Sequence, residues 1–213
     1  MTASTSATVA AALIWSRAAL LASIAASMPN PRYYLGLVAF NGRLIAIGGW
    51  NGGVTNTVHE YNPGENVWYA LAPLPVAQYG FVAAATDSFV FTLGGNQGSS
   101  GVPGTVYAYD RTANSWSTGA PMPTPRFYAG GAVVNGSIYV MGGTTTGIPL
   151  ATVEAYNPVS STWTTKPNLP FPRNETAGAA ALGRLSGVPA AYLIGGYGGA
   201  GGGLVGAVDE VAP

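Results

Sequence analysis

Three arginines in this sequence directly follow a proline and open onto polar or aromatic neighbours: Arg32-Tyr33-Tyr34, Arg126-Phe127-Tyr128 and Arg173-Asn174-Glu175. Gln78-Tyr79 stands at a fourth comparable place, and Trp50 and Tyr197 each follow a glycine pair. A guanidinium is a planar fork of donors that grips a carboxylate through two parallel hydrogen bonds, while a flanking aromatic face stacks on a sugar ring or a peptide side chain. That chemistry suits a small acidic or polyhydroxylated ligand, or an acidic peptide. Glu175, beside Arg173, is the one residue here that offers acid-base chemistry.

Other chemistry is poorly supplied. The 213 residues include one histidine, His59, and no cysteine, which excludes disulfides, thiolate ligands, a cysteine nucleophile and a multi-histidine metal site. No paired Asp or Glu cluster suggests an oxygen cage, so neither a metal nor a cofactor is expected. His59, beside Glu60, reads as a surface or edge histidine. Eight basic residues balance eight acidic ones, so nothing favours nucleic acid or an acidic membrane surface. The glycine pairs lack the helix start or the Gly-Lys-Ser/Thr of a phosphate loop and read as strand ends.

The elements that must position the arginines come from a repeat. Met28-Pro29, Leu74-Pro75, Met122-Pro123 and Leu169-Pro170 recur at separations of 46, 48 and 47 residues. Gly48-Gly49, Gly94-Gly95 and Gly142-Gly143 begin 20 residues after their Met or Leu, and Gly195-Gly196 begins 26 after Leu169. Tyr61, Tyr109 and Tyr156 each precede a tryptophan, Trp68, Trp116 and Trp163, by seven residues. Agreement among independent spacings marks stacked repeats.

Each unit converts into four strands. Gly36 to Phe40, Gly80 to Ala85, Gly130 to Val134 and Gly178 to Leu182 are short apolar runs, expected to be first strands buried on both faces. Asn41-Gly42 and Asn135-Gly136 supply the turns into Leu44 to Ile47 and Ile138 to Met141; Gly183 to Pro189 replaces that turn in the fourth unit, an insertion cheap at a hairpin tip. Third strands run Thr57 to Tyr61, Thr105 to Tyr109 and Thr152 to Tyr156, and fourth strands carry the tryptophans. The tyrosines and tryptophans recur in every full unit and are assigned to packing. Gly195 to Gly203 reads as a flexible loop.

The glycine pair, the Tyr and Trp spacing and the Met-Pro-x-Pro-Arg stretch together resemble the Kelch family, over Met28 to Val211. The resemblance implies an all-β, Kelch-type β-propeller of about four blades, each of four antiparallel strands, divided at 28–73, 74–121, 122–168 and 169–213. Val211 stands in the tyrosine place and no fourth strand follows it in this sequence, so the fourth blade is expected to lack its outer strand and the ring to be incomplete or small. In Kelch domains that bind peptides the arginine after the proline lines the channel mouth and pairs with acidic groups, which by resemblance places Arg32, Arg126 and Arg173 there. A structural role, bonding to carbonyls of a neighbouring loop, fits the same repetition.

The expected binding set is Arg32, Tyr33, Tyr34, Trp50, Tyr79, Arg126, Tyr128, Arg173, Asn174 and Tyr197. It fits a non-catalytic scaffold that presents its blade-mouth loops to a protein, a peptide or a carbohydrate. The rival is an enzyme resembling the sialic-acid mutarotases of the same fold, with Glu175 as its acid-base group. One histidine and no cysteine exclude a copper oxidase like galactose oxidase. Residues 1–27 are an apolar leader interrupted by Arg17, read as a signal peptide or a closing strand and not as a stable membrane span. Secretion or export is favoured over a cytoplasmic location. Period arithmetic places Leu20 to Ala25 as an outer strand beside Ala207 to Val211, which would close the ring.

Overall fold

Asn41-Gly42 and Asn135-Gly136 take positive φ at both positions, 48° and 74° in the first pair and 49° and 78° in the second, the backbone of a two-residue hairpin. The computed structural model describes residues 25–184, 187–198 and 202–212. In it the first turn joins β1 (Gly36–Phe40) to β2 (Arg43–Ile47), and β3 (Val58–Asn62) and β4 (Val67–Leu71) complete an antiparallel sheet in that order. A second sheet holds β5 (Val82–Ala85), β6 (Val90–Leu93), β7 (Val106–Asp110) and β8 (Ser115–Thr118). The third holds β9 (Gly130–Val134), β10 (Ser137–Met141), β11 (Val153–Asn157) and β12 (Thr162–Lys166).

Beyond it lie β13 (Arg173–Asn174), β14 (Ala177–Leu182), β15 (Pro189–Ile194), β16 (Tyr197–Gly198), β17 (Gly203–Leu204) and β18 (Val208–Val211). The fourth sheet runs β14-β15-β18, three strands among the described residues, where the other blades have four. A 3-10 turn at Gly98–Ser100 is the only helical element among the described residues. The chain is an all-β propeller of four blades.

Apolar side chains are shared between consecutive sheets. Val38, Phe40, Ile45 and Ile47 of the first sheet pack with Phe81, Val90 and Tyr109 of the second. Val82, Phe91 and Leu93 pack with Ile138, Val140 and Tyr156 of the third, and Tyr139, Met141 and Val153 with Ala191 and Leu193 of the fourth. Each sheet alone would leave an apolar face wet, so stacking is what makes the repeat stable.

The outer strands are joined by a repeated clamp. Tyr61, Tyr109 and Tyr156 stand directly across from Trp68, Trp116 and Trp163. The Trp116 indole donates to Ala72 O at 2.9 Å and that of Trp163 to Ala120 O at 2.9 Å, each gripping the chain just past the outer strand of the preceding blade. Asn114 Oδ1 and Ser161 Oγ accept the matching Ala72 and Ala120 N–H at 2.9 Å. In the first sheet the same clamp grips Ala26, through Trp68 at 2.8 Å and Asn66 at 2.7 Å.

Two expectations need correction. Among the first strands, β1 leaves Leu37 58% exposed and β14 leaves Ala177, Ala179 and Ala181 exposed; the strands buried along their whole length are β3, β6 and the two-residue β13. A first strand is covered on both faces only where a sheet stands on either side of it. The described parts of the stretch expected as a loop from Gly195 to Gly203 include strand: β16 pairs with β13 on one side and with β17 on the other, in a small separate sheet. The proposed closing strand lies outside the described residues except for Ala25.

Candidate functional site

At the top of each blade, the stretch leading to the inner strand lies against the loop that leaves strand two. Tyr33 and Trp50 exchange backbone hydrogen bonds of 3.1 and 2.9 Å, Tyr79 and Asn96 of 3.0 and 2.9 Å, and Phe127 and Thr144 of 2.9 Å each. Asn174 pairs with Tyr197 in the β13–β16 ladder. A second series steps from blade to blade. Gly80 N–H donates to Tyr34 O at 2.9 Å, Tyr128 N–H to Gly80 O at 2.7 Å, and Glu175 N–H to Tyr128 O at 2.8 Å. All four residues have left-handed backbone, with φ of 54° at Tyr34, 65° at Gly80, 56° at Tyr128 and 53° at Glu175. For tyrosine and glutamate that conformation costs about 1–3 kcal/mol each and persists only where the surroundings dictate it.

The result is a cluster of aromatic rings from three successive blades. Tyr34 lies 4.9 Å from Tyr128 and 6.0 Å from Tyr79, centroid to centroid; Trp50 lies 5.6 Å from Tyr79, and Phe127 4.5 Å from Tyr128. Tyr33 packs edge-on against Tyr34 at 4.8 Å. Tyr33 and Tyr34 remain 54% and 46% exposed. Below them a cavity of about 280 Å³ is lined in part by Tyr34, Gly80, Tyr128 and Glu175. Burial pushes the Tyr128 phenol far above its usual range, helped by a hydrogen bond with Tyr34, and burial also raises Tyr79. The mouth therefore offers neutral hydroxyls and ring faces. Tyr197, also exposed, makes none of these ring contacts.

The arginines sit elsewhere. Arg126 is 1% exposed: Nη1 donates to Glu154 Oε2 at 2.5 Å and Thr124 O at 2.8 Å, and Nη2 to Val140 O at 3.0 Å. Arg173 is as deeply buried and donates to Asp209 and to the Ala207 carbonyl. Arg32 repeats the geometry with different partners, reaching Ala46 O at 3.2 Å and His59 Nδ1 at 3.4 Å. Gln78 replaces the arginine in the second blade and is held by Thr92 at 2.9 Å and Thr105 at 3.3 Å. Of the two roles the sequence leaves open, these contacts are of the structural kind, and they tie each arginine to strands of its own blade. The Nε of all three is buried without a hydrogen-bond partner among the described residues.

Sequence reasoning missed Glu154 and Asp209, and misplaced His59, which is buried. The signal was available: His59, Tyr107, Glu154 and Asp209 each stand two residues before the Tyr or Val that marks the third strand. An acid occurs there in the two blades whose arginine is ion-paired. Glu60 was also missed; its carboxylate receives Arg111 of the next blade at 2.5 and 2.8 Å. Glu175 and Arg173 are two residues apart in sequence but not paired, since Asp209 is the carboxylate bound to Arg173. Asn174 is buried with Oδ1 unpartnered. Among the described residues no group of three or more acidic or histidine side chains could hold a metal, and no helix is long and apolar enough to cross a membrane.

Four stacked blades with this strand order and these repeated markers define a Kelch-type propeller. The profile of the KLHDC2/KLHL20/DRC7 Kelch-repeats domain matches residues 37–201, and the chain belongs to the Kelch-repeat family. Similarity extends to Kelch-like protein 35 of Mus musculus, 37% identical over 71 residues, which is 33% of this chain and 12% of that protein. The chain thus matches a small part of that relative's length.

Proposed function

We propose that this chain is a non-catalytic interaction scaffold whose blade mouths bind a peptide segment of a protein partner. The observation that carries this reading is the convergence of Tyr33, Tyr34, Trp50, Tyr79, Phe127 and Tyr128 from three blades. Rigid, half-exposed aromatic side chains are the usual anchors of protein interfaces, because they bury much area at little entropic cost. Membership of the Kelch-repeat family supports the same reading. An acidic ligand loses its support, because the arginines that would grip it are buried and engaged. The mutarotase alternative keeps Glu175 at the mouth but has no arginine beside it to hold a carboxylate.

The test is selection of binding peptides from a display library, followed by titration of one selected peptide against the wild type, Tyr34→Ala and Tyr79→Ala. Each substitution is expected to weaken binding by about 30-fold, corresponding to about 2 kcal/mol, with the midpoint of thermal unfolding recorded alongside. Unchanged affinity in both variants would remove the mouth as the binding surface.

A further inference from the structure

The cavity under the aromatic cluster has one acidic wall. Tyr34, Gly80, Tyr128 and Glu175 all line it, and they hold equivalent places in the left-handed series that steps from blade to blade. Two blades therefore present a ring there, one bare backbone and one a carboxylate. The bare position has a packing reason: a side chain on Gly80 would stand 2.8 Å from the Tyr128 ring, so glycine lets that ring lie against the backbone of the neighbouring blade. Tyr128 is thereby held between Gly80 and Tyr34, whose ring centroid is 4.9 Å away.

Glu175 is fixed by its backbone, through the hydrogen bond from its N–H to Tyr128 O at 2.8 Å. The residue itself is exposed, and its carboxylate makes no hydrogen bond or ion pair among the described residues, whereas Glu60, Glu154 and Asp209 each bind an arginine. Its charge reaches the cavity: burial is the main cause of the raised Tyr128 pKa, and Glu175 adds to it. The nearby cations do not answer that charge. Arg32, Arg126 and Arg173 are buried and engaged below. Among the described residues the contact of a cation with a ring is elsewhere, Lys166 over Tyr139 in the third sheet.

Given peptide binding at the mouth, on which this rests, we infer that the cavity takes a basic side chain of the peptide, lysine or arginine, with its cation against the rings of Tyr34 and Tyr128 and paired with the Glu175 carboxylate. The faces of aromatic rings carry the negative part of their quadrupole and attract a cation. The neutral phenols supply no counter-charge, so the carboxylate supplies it. The methylene stem of the same side chain packs on the rings. Other occupants fit less well. An acidic side chain would meet a like charge and no free guanidinium, and an apolar one would strip water from Glu175 without giving it a partner.

The test is selection from a random peptide display library by the wild type, Glu175→Gln, Glu175→Asp and Glu175→Lys, with unfolding midpoints recorded for all four. The wild type and Glu175→Asp are expected to enrich a basic residue at one peptide position, and Glu175→Lys to lose that enrichment. One peptide selected by the wild type is then titrated beside an analogue in which norleucine replaces the lysine, or citrulline the arginine. Loss of the charge should weaken binding to the wild type about tenfold, and binding to Glu175→Gln at least about threefold less than that. Selected peptides without basic enrichment, or an analogue that loses equally against the wild type and Glu175→Gln, would overturn the inference. If that happens while Tyr34→Ala and Tyr79→Ala still weaken binding, the peptide site stands and only its preference for a cation falls. If those two variants bind as the wild type does, or no peptide is selected, the mouth is removed as the binding surface and the cation site falls with it.

Discussion

The first and third blades hold a buried arginine in the same pose with different counterparts. Arg126 meets the Glu154 carboxylate at 2.5 Å and two carbonyls, whereas Arg32 meets carbonyls and the neutral nitrogen of His59. Burial lowers the pKa of both guanidiniums, but in Arg126 the hydrogen bond and charge of Glu154 work against that shift, and no carboxylate does so for Arg32. The comparison separates two things a buried cation needs. Backbone carbonyls orient the fork in every blade that has an arginine, but only a carboxylate offsets its charge. Where the cation is absent, the side chain of Gln78 is held by the hydroxyls of Thr92 and Thr105, and no charge needs balancing. The repeat thus maintains a pose, while the charge is balanced blade by blade.

Breaking the third blade should have the largest effect. Glu154→Ala leaves Arg126, 1% exposed, with no counter-charge, and is expected to cost about 3–5 kcal/mol in denaturant unfolding. The matched change in the first blade, His59→Ala, removes no charge and should cost clearly less; equal losses would mean that the ion pair is not what distinguishes the blades. A smaller effect of opposite sign sharpens the comparison. His59→Glu places a carboxylate where Arg32 lacks one, and a gain of about 1.5 kcal/mol is expected, the scale of a hydrogen bond to a charged group. A loss would indicate that the open first blade cannot hold the acid in the pose that Glu154 takes.

The sequence made the blades legible because their markers act locally. Asn41-Gly42 and Asn135-Gly136 fix hairpins by their own backbone, and the strands expected at Gly36 to Phe40 and Gly130 to Val134 appear with those bounds. Third strands begin one residue later than expected, at Val58, Val106 and Val153. The residues of the aromatic cluster stand close behind the repeated proline stretch, Tyr34 and Tyr128 six residues and Tyr79 five after its Met or Leu. The environment of the arginines was not, because Glu154 lies 28 residues from Arg126 and Asp209 lies 36 from Arg173. Proximity in sequence suggested Glu175 instead. Nor could periodicity alone tell that Leu37 on β1 and alternate alanines on β14 are exposed among the described residues, since exposure depends on what stands beside a strand and not on the strand's own pattern.

The smallest effect is a pH dependence confined to the first blade. Burial, and then the charge of Arg32, lower the His59 pKa below its ordinary value near 6.5. The unfolded chain, with an ordinary histidine, therefore binds a proton more readily than the folded one as pH falls through that value. Stability attributable to this group is complete above the unfolded pKa and is lost as pH drops towards the lowered folded one. Denaturant midpoints measured from pH 7.5 down to 5.5, where carboxylates remain ionised, should fall slightly for the wild type. His59→Gln, which keeps an acceptor for Arg32 but cannot titrate, should flatten that fall while leaving the midpoint at pH 7.5 close to wild type. An equal slope in the variant would assign the dependence to another group. A steeper one would mean that protonated His59 is stabilised in the folded state, against both the burial and the neighbouring cation.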